Sequence, residues 1–225
     1  MSNNYTMTPY NTFIAKSRYS RYLDDKGRRE HWNETVARYF DFMEKHLAEK
    51  QSYTLTKELR KELEDAVVAL DVVPSMRAIM TAGPALERQN VAAFNCSYLP
   101  IDDPKAFDEA MYILLCGTGV GFSVEQQYVK KLPEVPEQLF DSKSSIVVSD
   151  SKEGWAKSLR QLLALLYAGE IPKFDVSRVR PAGARLKTFG GRASGPGPLE
   201  ELYKFCVTKF KAAVGRRLSS LECHD

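Results

Sequence analysis

At 225 residues, 44% of them hydrophobic, the chain is long enough for one large domain or two small ones. Its formal net charge of +3, from 32 basic and 29 acidic residues, excludes a strongly basic nucleic-acid-coating surface, so no direct nucleic-acid partner is expected. No apolar run approaches the roughly 20 residues that span a bilayer, the start Met-Ser-Asn-Asn-Tyr-Thr has no secretory pattern, and the four cysteines form neither a Cys-x-x-Cys pair nor a secreted disulfide framework; the reading is a cytoplasmic protein with no membrane partner.

The first thirty residues carry Tyr10, Phe13, Tyr19, Tyr22 and Leu23 among basic residues, which predicts an arm lying along the body through its aromatics. From His31 to about Leu47, Trp32, Val36, Tyr39, Phe40, Met43 and Leu47 recur at three- and four-residue spacing, the pattern of an amphipathic helix. A second helix follows with Leu59, Leu63, Val67 and Leu70 on one face and Thr54 or Thr56 as its cap. His31 and His46 have no partner at a metal-ligand spacing, so they read as surface or packing histidines and no metal site is expected.

Pro74 ends the helical pattern, and residues 1–71 are read as an N-terminal arm and helical region distinct from residues 72–225. Thr81-Ala82-Gly83-Pro84 makes a turn, and the continuous apolar run Val91–Leu99 reads as a strand covered on both faces. Asn95-Cys96-Ser97 stands out within that run, because buried polar side chains cost stability unless they are paired or used; it is a candidate site. A helix with Phe107, Ala110, Met111 and Leu114 inward follows the turn Asp102-Asp103-Pro104. Gly117-Thr118-Gly119-Val120-Gly121 lacks both the spacing and the strand-glycine-helix order of a dinucleotide loop, and reads as a tight entry into a strand where another backbone or a ligand comes close.

Residues 130–149 read as loop apart from a short apolar run at Ile146-Val147-Val148. Asp150-Ser151-Lys152-Glu153 opens an amphipathic helix with Trp155, Leu159, Leu162, Leu163 and Leu166 inward, stopping at Gly169; its capping-box spacing fits plain helix capping as well as ligand binding. Phe174-Asp175-Val176 begins another strand, and a last helix from about Pro198 carries Leu199, Leu202, Cys206, Phe210 and Val214 on one face. Helix, strand, helix, strand, helix is the order of an α/β domain with a parallel sheet. Between the last strand and helix, Arg178–Pro198 packs glycines, prolines, arginines and a lysine into a segment suited to an anion, since glycine lets N–H groups approach a ligand and a helix N-terminus follows. A solvated, turn-rich linker is the alternative.

Four segments in this order carry a resemblance: Asn95-Cys96-Ser97-Tyr98, Cys116–Val124, Asp150–Trp155 and Arg180–Pro196. The chain resembles the ribonucleotide reductases, in particular the adenosylcobalamin-dependent (class II) ribonucleoside-triphosphate reductases, from Pro74 onward. The resemblance implies an α/β fold in which an N-terminal helical region is followed by the first half of a ten-stranded α/β barrel. It implies radical reduction of a ribonucleotide, with a thiyl radical removing the ribose 3′ hydrogen, the 2′-hydroxyl leaving as water and a cysteine pair supplying the reducing equivalents.

By resemblance Cys96 is the first cysteine of that pair, and Ser75, Asn95 and Ser97 line the substrate. Asp150, Ser151 and Lys152 take a deoxynucleotide effector, and Arg185, Lys187, Phe189, Gly190 and Gly191 form the specificity loop between effector and base. The flanking polar residues agree with a working thiol at Cys96, whereas Cys116 and Cys206 lie on apolar helix faces and Cys223 is left open. The cofactor implied is adenosylcobalamin, with most contacts outside this chain, and the reductant is thioredoxin-like. The family's radical-site cysteine, the second cysteine of the pair and the C-terminal electron-passing cysteines do not follow, so the expectation is a split or truncated chain that needs a C-terminal reductase polypeptide and is inactive alone. The alternatives are a catalytically silent nucleotide-binding module and a barrel fragment unable to fold alone, its open strand edge and apolar surface favouring aggregation.

Overall fold

Thr8 starts the first described helix by accepting a hydrogen bond from the Asn11 N–H at 3.1 Å, with Pro9 at the first helical position, where a missing N–H costs nothing. The computed structural model describes residues 7–186 and 191–225. The chain divides after Asn95 into two compact units.

In the first unit, α1 (Pro9–Ile14) runs into a π-helical turn over Ala15–Tyr19, and β1 (Tyr22–Leu23) pairs antiparallel with β2 (Arg28–Arg29). Then come α2 (Trp32–Gln51), α3 (Lys57–Val68), α4 (Met76–Thr81) and α5 (Pro84–Arg88). Trp32, Val36 and Phe40 of α2 pack with Val67 of α3 and Ile79 of α4, as the helical spacing requires, and Phe42 packs with Ala82, Leu86 and Ala92. Thr56 caps α3 through the Leu59 N–H at 3.2 Å. Leu63, expected inward, is 39% exposed, and of the arm's aromatics Tyr10 and Phe13 point to solvent while Tyr19 meets the Trp32 ring edge-on at 6.0 Å.

A buried ionic knot crosses these small clusters. Glu30, 4% exposed, accepts hydrogen bonds from Arg38 at 2.8 and 3.0 Å, from Thr35 Oγ1 at 3.0 Å and from the Arg21 N–H at 3.1 Å. Arg38 also donates to the carbonyls of Ile79 and Ala82 at 3.0 and 2.9 Å, which ties α2 to the end of α4. Burial opposes the Glu30 charge, but these donors outweigh it and hold its carboxyl below the usual range.

The second unit contains two β-α-β pieces. In the first, β3 (Cys96–Pro100), α6 (Lys105–Leu115) and β4 (Gly119–Ser123) set the strands parallel, with Cys96 opposite Gly119 and Pro100 opposite Ser123. After the short α7 (Gln126–Val129), the second is β5 (Phe140–Val147), α8 (Lys152–Tyr167) and β6 (Glu170–Asp175), again parallel. The unit closes with α9 (Gly197–Ala212) and α10 (Ser220–His224). Leu159, Leu162, Leu163 and Leu166 of α8 form the centre of its core with Leu199, Tyr203 and Phe210 of α9. Tyr203 reaches Ser158 through its hydroxyl and meets Phe174 edge-on at 5.2 Å.

Two expectations are corrected. Val91–Leu99 is not one buried strand: residues 90–93 form a 3-10 turn that buries Ala92, and the strand begins at Cys96, with Phe94 and Tyr98 62% and 63% exposed. The apolar run is split between a turn that fills the first unit and a strand that is open on its outer side. Residues 130–149 are not loop but include the short α7's exit and the eight-residue β5. That strand was hidden because its middle reads Asp141-Ser142-Lys143-Ser144-Ser145, and a register irregularity between Asp141 and Ser145 breaks the alternation. Among the described residues the strands form three two-stranded sheets, two of them parallel, in a mixed α/β arrangement. No helix among them is long and apolar enough to cross a membrane.

Candidate functional site

Cys96 is the first residue of β3, and both it and Asn95 before it are exposed. Ser97 Oγ donates to the Gly119 carbonyl at 3.1 Å, which fastens the start of β3 to the start of β4 beside the ladder. Asn95-Cys96-Ser97 is therefore an accessible edge and not a buried trio, so its polar side chains need no internal partners. The close approach expected at the glycines is absent at Gly121, where an added Cβ would lie 3.6 Å from the Ser97 carbonyl, an ordinary contact.

Ser75 lies in the first unit as the N-cap of α4, accepting from the Ala78 N–H at 3.1 Å. Its Oγ also reaches the Ala93 carbonyl at 3.4 Å, two residues before Asn95 along the chain.

The expected effector residues all lie where α8 begins. Ser151, and not Asp150, caps the helix, accepting from the Gly154 N–H at 3.0 Å. The turn is so tight that a Cβ on Gly154 would sit 2.5 Å from the Ser149 carbonyl oxygen, which is why glycine stands there. Asp150 accepts from Arg180 Nε at 2.8 and 3.0 Å, joining the helix start to the arginine-rich segment. Lys152 places its ammonium 3.4 Å from the buried Cys116 sulfur.

The arginine-rich segment folds back on itself. Ala193 N–H donates to the Ala184 carbonyl at 2.7 Å, Leu186 N–H to Gly191 at 3.0 Å and Gly183 N–H to Ala193 at 2.8 Å, with Arg185 bridged to Arg192. Arg192 donates from its side chain to the Gly183 carbonyl at 3.0 Å. At its base Gly195, φ +78°, passes so near Ala182 that a Cβ would come within 2.8 Å of the Ala182 nitrogen. Of the expected specificity-loop residues, Arg185 and Gly191 take part in this pairing, and Lys187, Phe189 and Gly190 lie outside the described residues.

All four cysteines are free thiols, and Cys96 is the exposed one. Burial pushes Cys206 up to about 11; burial, then the Glu222 charge, does the same to Cys223, so both stay protonated thiols that pack. Cys116 is also buried, but it sits between Lys152 and Tyr112, whose hydroxyl is pushed up to about 12 by burial and by its contact with that sulfur. Sequence reading missed this cluster, because a separation of 36 positions between Cys116 and Lys152 leaves no local signal. No group of histidine, cysteine and acidic side chains among the described residues is arranged to hold a metal ion.

Two family models match separate parts of the chain: the ribonucleotide reductase alpha domain over residues 3–84 and the insertion domain of B12-dependent ribonucleotide reductase over residues 123–207. Among curated relatives, the adenosylcobalamin-dependent ribonucleoside-triphosphate reductase of Lactobacillus helveticus is 24% identical over 276 aligned residues, covering 93% of this chain and 37% of that protein. The protein of the same name from Lacticaseibacillus paracasei is 27% identical, with the same shares covered. A solved B12-dependent (class II) ribonucleotide reductase superposes with a TM-score of 0.81 at 24% identity, covering 95% of this chain and 38% of that one, so the fold is shared. The chain thus spans little more than a third of the length of the relatives it matches. Ribonucleotide reductase models thus match on both sides of Cys96, the second of them that of a B12-dependent domain, and the fold agrees, so the chain is similar to the B12-dependent (class II) ribonucleotide reductases.

Proposed function

We propose that this chain supplies part of an adenosylcobalamin-dependent ribonucleoside-triphosphate reductase, with Cys96 as one thiol of the pair that reduces the substrate. The observation that carries the reading is the placement of Cys96, an exposed thiol at the head of a parallel strand between Asn95 and Ser97. The net reaction takes two thiols and a ribonucleotide to a disulfide, a deoxyribonucleotide and water: the C2′–O bond breaks, each sulfur gives up one electron and one proton, and a C2′–H bond forms. Cys96 gives one of the two sulfurs, and the second belongs to the remaining reductase polypeptide, which completes the ten-stranded barrel begun by the parallel pairs. A thioredoxin-like protein then returns the disulfide to thiols. Ser75, Asn95 and Ser97 orient the substrate. Asp150, Ser151 and Lys152 receive a deoxynucleotide effector, whose identity reaches the substrate base through the loop that includes Arg185, Lys187, Phe189, Gly190 and Gly191.

Adenosylcobalamin, when bound, supplies the radical that starts turnover. By the same resemblance most of its contacts lie outside this chain, and no step is assigned to it here. Free thiols throughout suit a reducing cytoplasm.

The test is Cys96→Ser in the complete reductase. Loss of multiple turnover with a thioredoxin-like reductant is expected, with deoxynucleotide binding retained. Full turnover by the variant would refute the redox role and favour a silent nucleotide-binding module. Reductase activity from the 225-residue chain alone would refute the need for the remaining polypeptide.

A further inference from the structure

Two sites assigned above, the start of β3 and the start of α8, are joined by a short series of contacts through a residue that neither uses. Lys152 is the first residue of α8, and its ammonium lies 3.4 Å from Cys116 Sγ. Cys116 ends α6: its N–H donates to the Tyr112 and Ile113 carbonyls at 3.0 and 3.1 Å, and the Tyr112 hydroxyl contacts its sulfur. From Cys116 the buried turn at Thr118 leads into Gly119, which pairs with Cys96 and accepts the Ser97 hydroxyl. On the other side, Asp150 binds Arg180 at the base of the arginine-rich loop. The path from Arg180 to Cys96 is thus made of packed groups and one strand pairing, within a single compact unit.

We propose that Cys116 is a positioning residue that competes with a nucleotide phosphate for the Lys152 ammonium, so that effector binding at α8 releases the turn that places Cys96. The inference rests on the effector role of Asp150, Ser151 and Lys152 proposed above. An ammonium drawn out of water takes whatever acceptor is in reach. A thiol sulfur is a weak acceptor, whereas a phosphate oxygen forms a charge-assisted bond about twice as strong as a neutral one. Lys152 therefore has two discrete arrangements, on sulfur without ligand and on phosphate with it. When the ammonium leaves, the end of α6 and the entry to β4 lose a tie, and Cys96 is paired to the first residue of β4. Such an element couples sites because each ligand favours one arrangement, and the coupling acts in both directions.

The experiment uses the complete reductase that contains this chain, with dATP, dGTP, dTTP and dCTP as probes. Cys96 alkylation by iodoacetamide is followed by mass mapping, and nucleotide affinity by calorimetry, for the unaltered reductase, Cys116→Ala and Cys116→Ser. In the unaltered reductase at least one deoxynucleotide is expected to change the Cys96 rate by about fivefold or more. In Cys116→Ala that change falls within about twofold, and the same deoxynucleotide binds about fivefold more tightly, because its competitor for Lys152 is gone. Cys116→Ser keeps an oxygen acceptor and restores both properties toward the original. A merely structural cysteine would loosen the chain without tightening nucleotide binding. If Cys116→Ala leaves affinity unchanged and the Cys96 response intact, the coupling role is overturned while the effector site stands. If no deoxynucleotide binds the unaltered reductase, the effector reading falls and this inference with it.

Discussion

The two units solve the same problem with different means. The first has only small apolar clusters and relies on Glu30 and Arg38 locked together inside it, whereas the second is held by a leucine-lined helix, α8, with four leucines at or below 4% exposure. The difference teaches where each is vulnerable. An ion pair taken out of water is sound only while both partners are present, but an apolar core loses stability in proportion to the volume removed.

The largest effect is expected in the first unit. Arg38→Met strands a buried carboxylate and removes the donors to the Ile79 and Ala82 carbonyls, so it should cost about 3–5 kcal/mol. Leu162→Ala, at a fully buried position of α8, should cost about 2–5 kcal/mol through transfer and cavity terms, whereas Leu114→Ala on the exposed side of α6 should stay within about 0.5 kcal/mol. The two tryptophans give a readout for each unit, because Trp32 lies in the first and Trp155 in the second. Urea titrations followed by fluorescence in Trp155→Phe and Trp32→Phe backgrounds would assign each loss. If Arg38→Met left the Trp32 transition in place, the ionic knot would not be what holds the first unit.

A smaller effect is expected at the start of α8. Gly154→Ala forces a Cβ to 2.5 Å from the Ser149 carbonyl oxygen, and because that neighbour is backbone the helix start must shift, at about 1–3 kcal/mol. The Trp155 transition, next to the substitution, reads it directly. An unchanged midpoint would mean that the turn relaxes freely, which would also weaken the case for a fixed Asp150–Lys152 site.

Acid sharpens the comparison without a mutation. Glu30 is held below the ordinary carboxylate value of about 4.3. A depressed carboxyl contributes its stability above the unfolded value and loses it as pH falls through the folded one, so the loss belongs below about pH 4.3. The Trp32 signal should report weakening there, and Glu30→Gln should flatten that acid limb while lowering stability at neutral pH. An acid limb of equal steepness in Glu30→Gln would assign it to other groups.

The sequence disclosed elements whose signals are local. The α2 and α8 periodicities, the Thr56 cap and the stop at Gly169 all appear where the spacing put them. Parallel pairing was legible from the element order, whereas the polar residues around Cys96 were read as lying in a covered strand and the strand is open there. What stayed hidden depends on distant partners. β5 shows no alternation because its polar middle faces outward around a register irregularity, and Glu30 with Arg38 looks like any surface pair until the fold removes water from it. The Lys152 to Cys116 contact, likewise, exists only because α6 and α8 pack side by side.

The smallest expected effect tests whether the β3 and β4 pair is as open as its exposed residues imply. Gly121 stands opposite Tyr98 in the ladder, and a Cβ there would meet the Ser97 carbonyl at 3.6 Å, with room to spare. Gly121→Ala should therefore change the Trp155 midpoint by no more than about 0.5 kcal/mol, and the Cys96 alkylation rate should hold. The contrast with Gly154→Ala is the informative part, since both are glycines in family-like segments and only one is fixed by a neighbouring backbone. A loss of more than about 1 kcal/mol would be a core-like response, showing that this strand pair is packed on the side that carries Cys96.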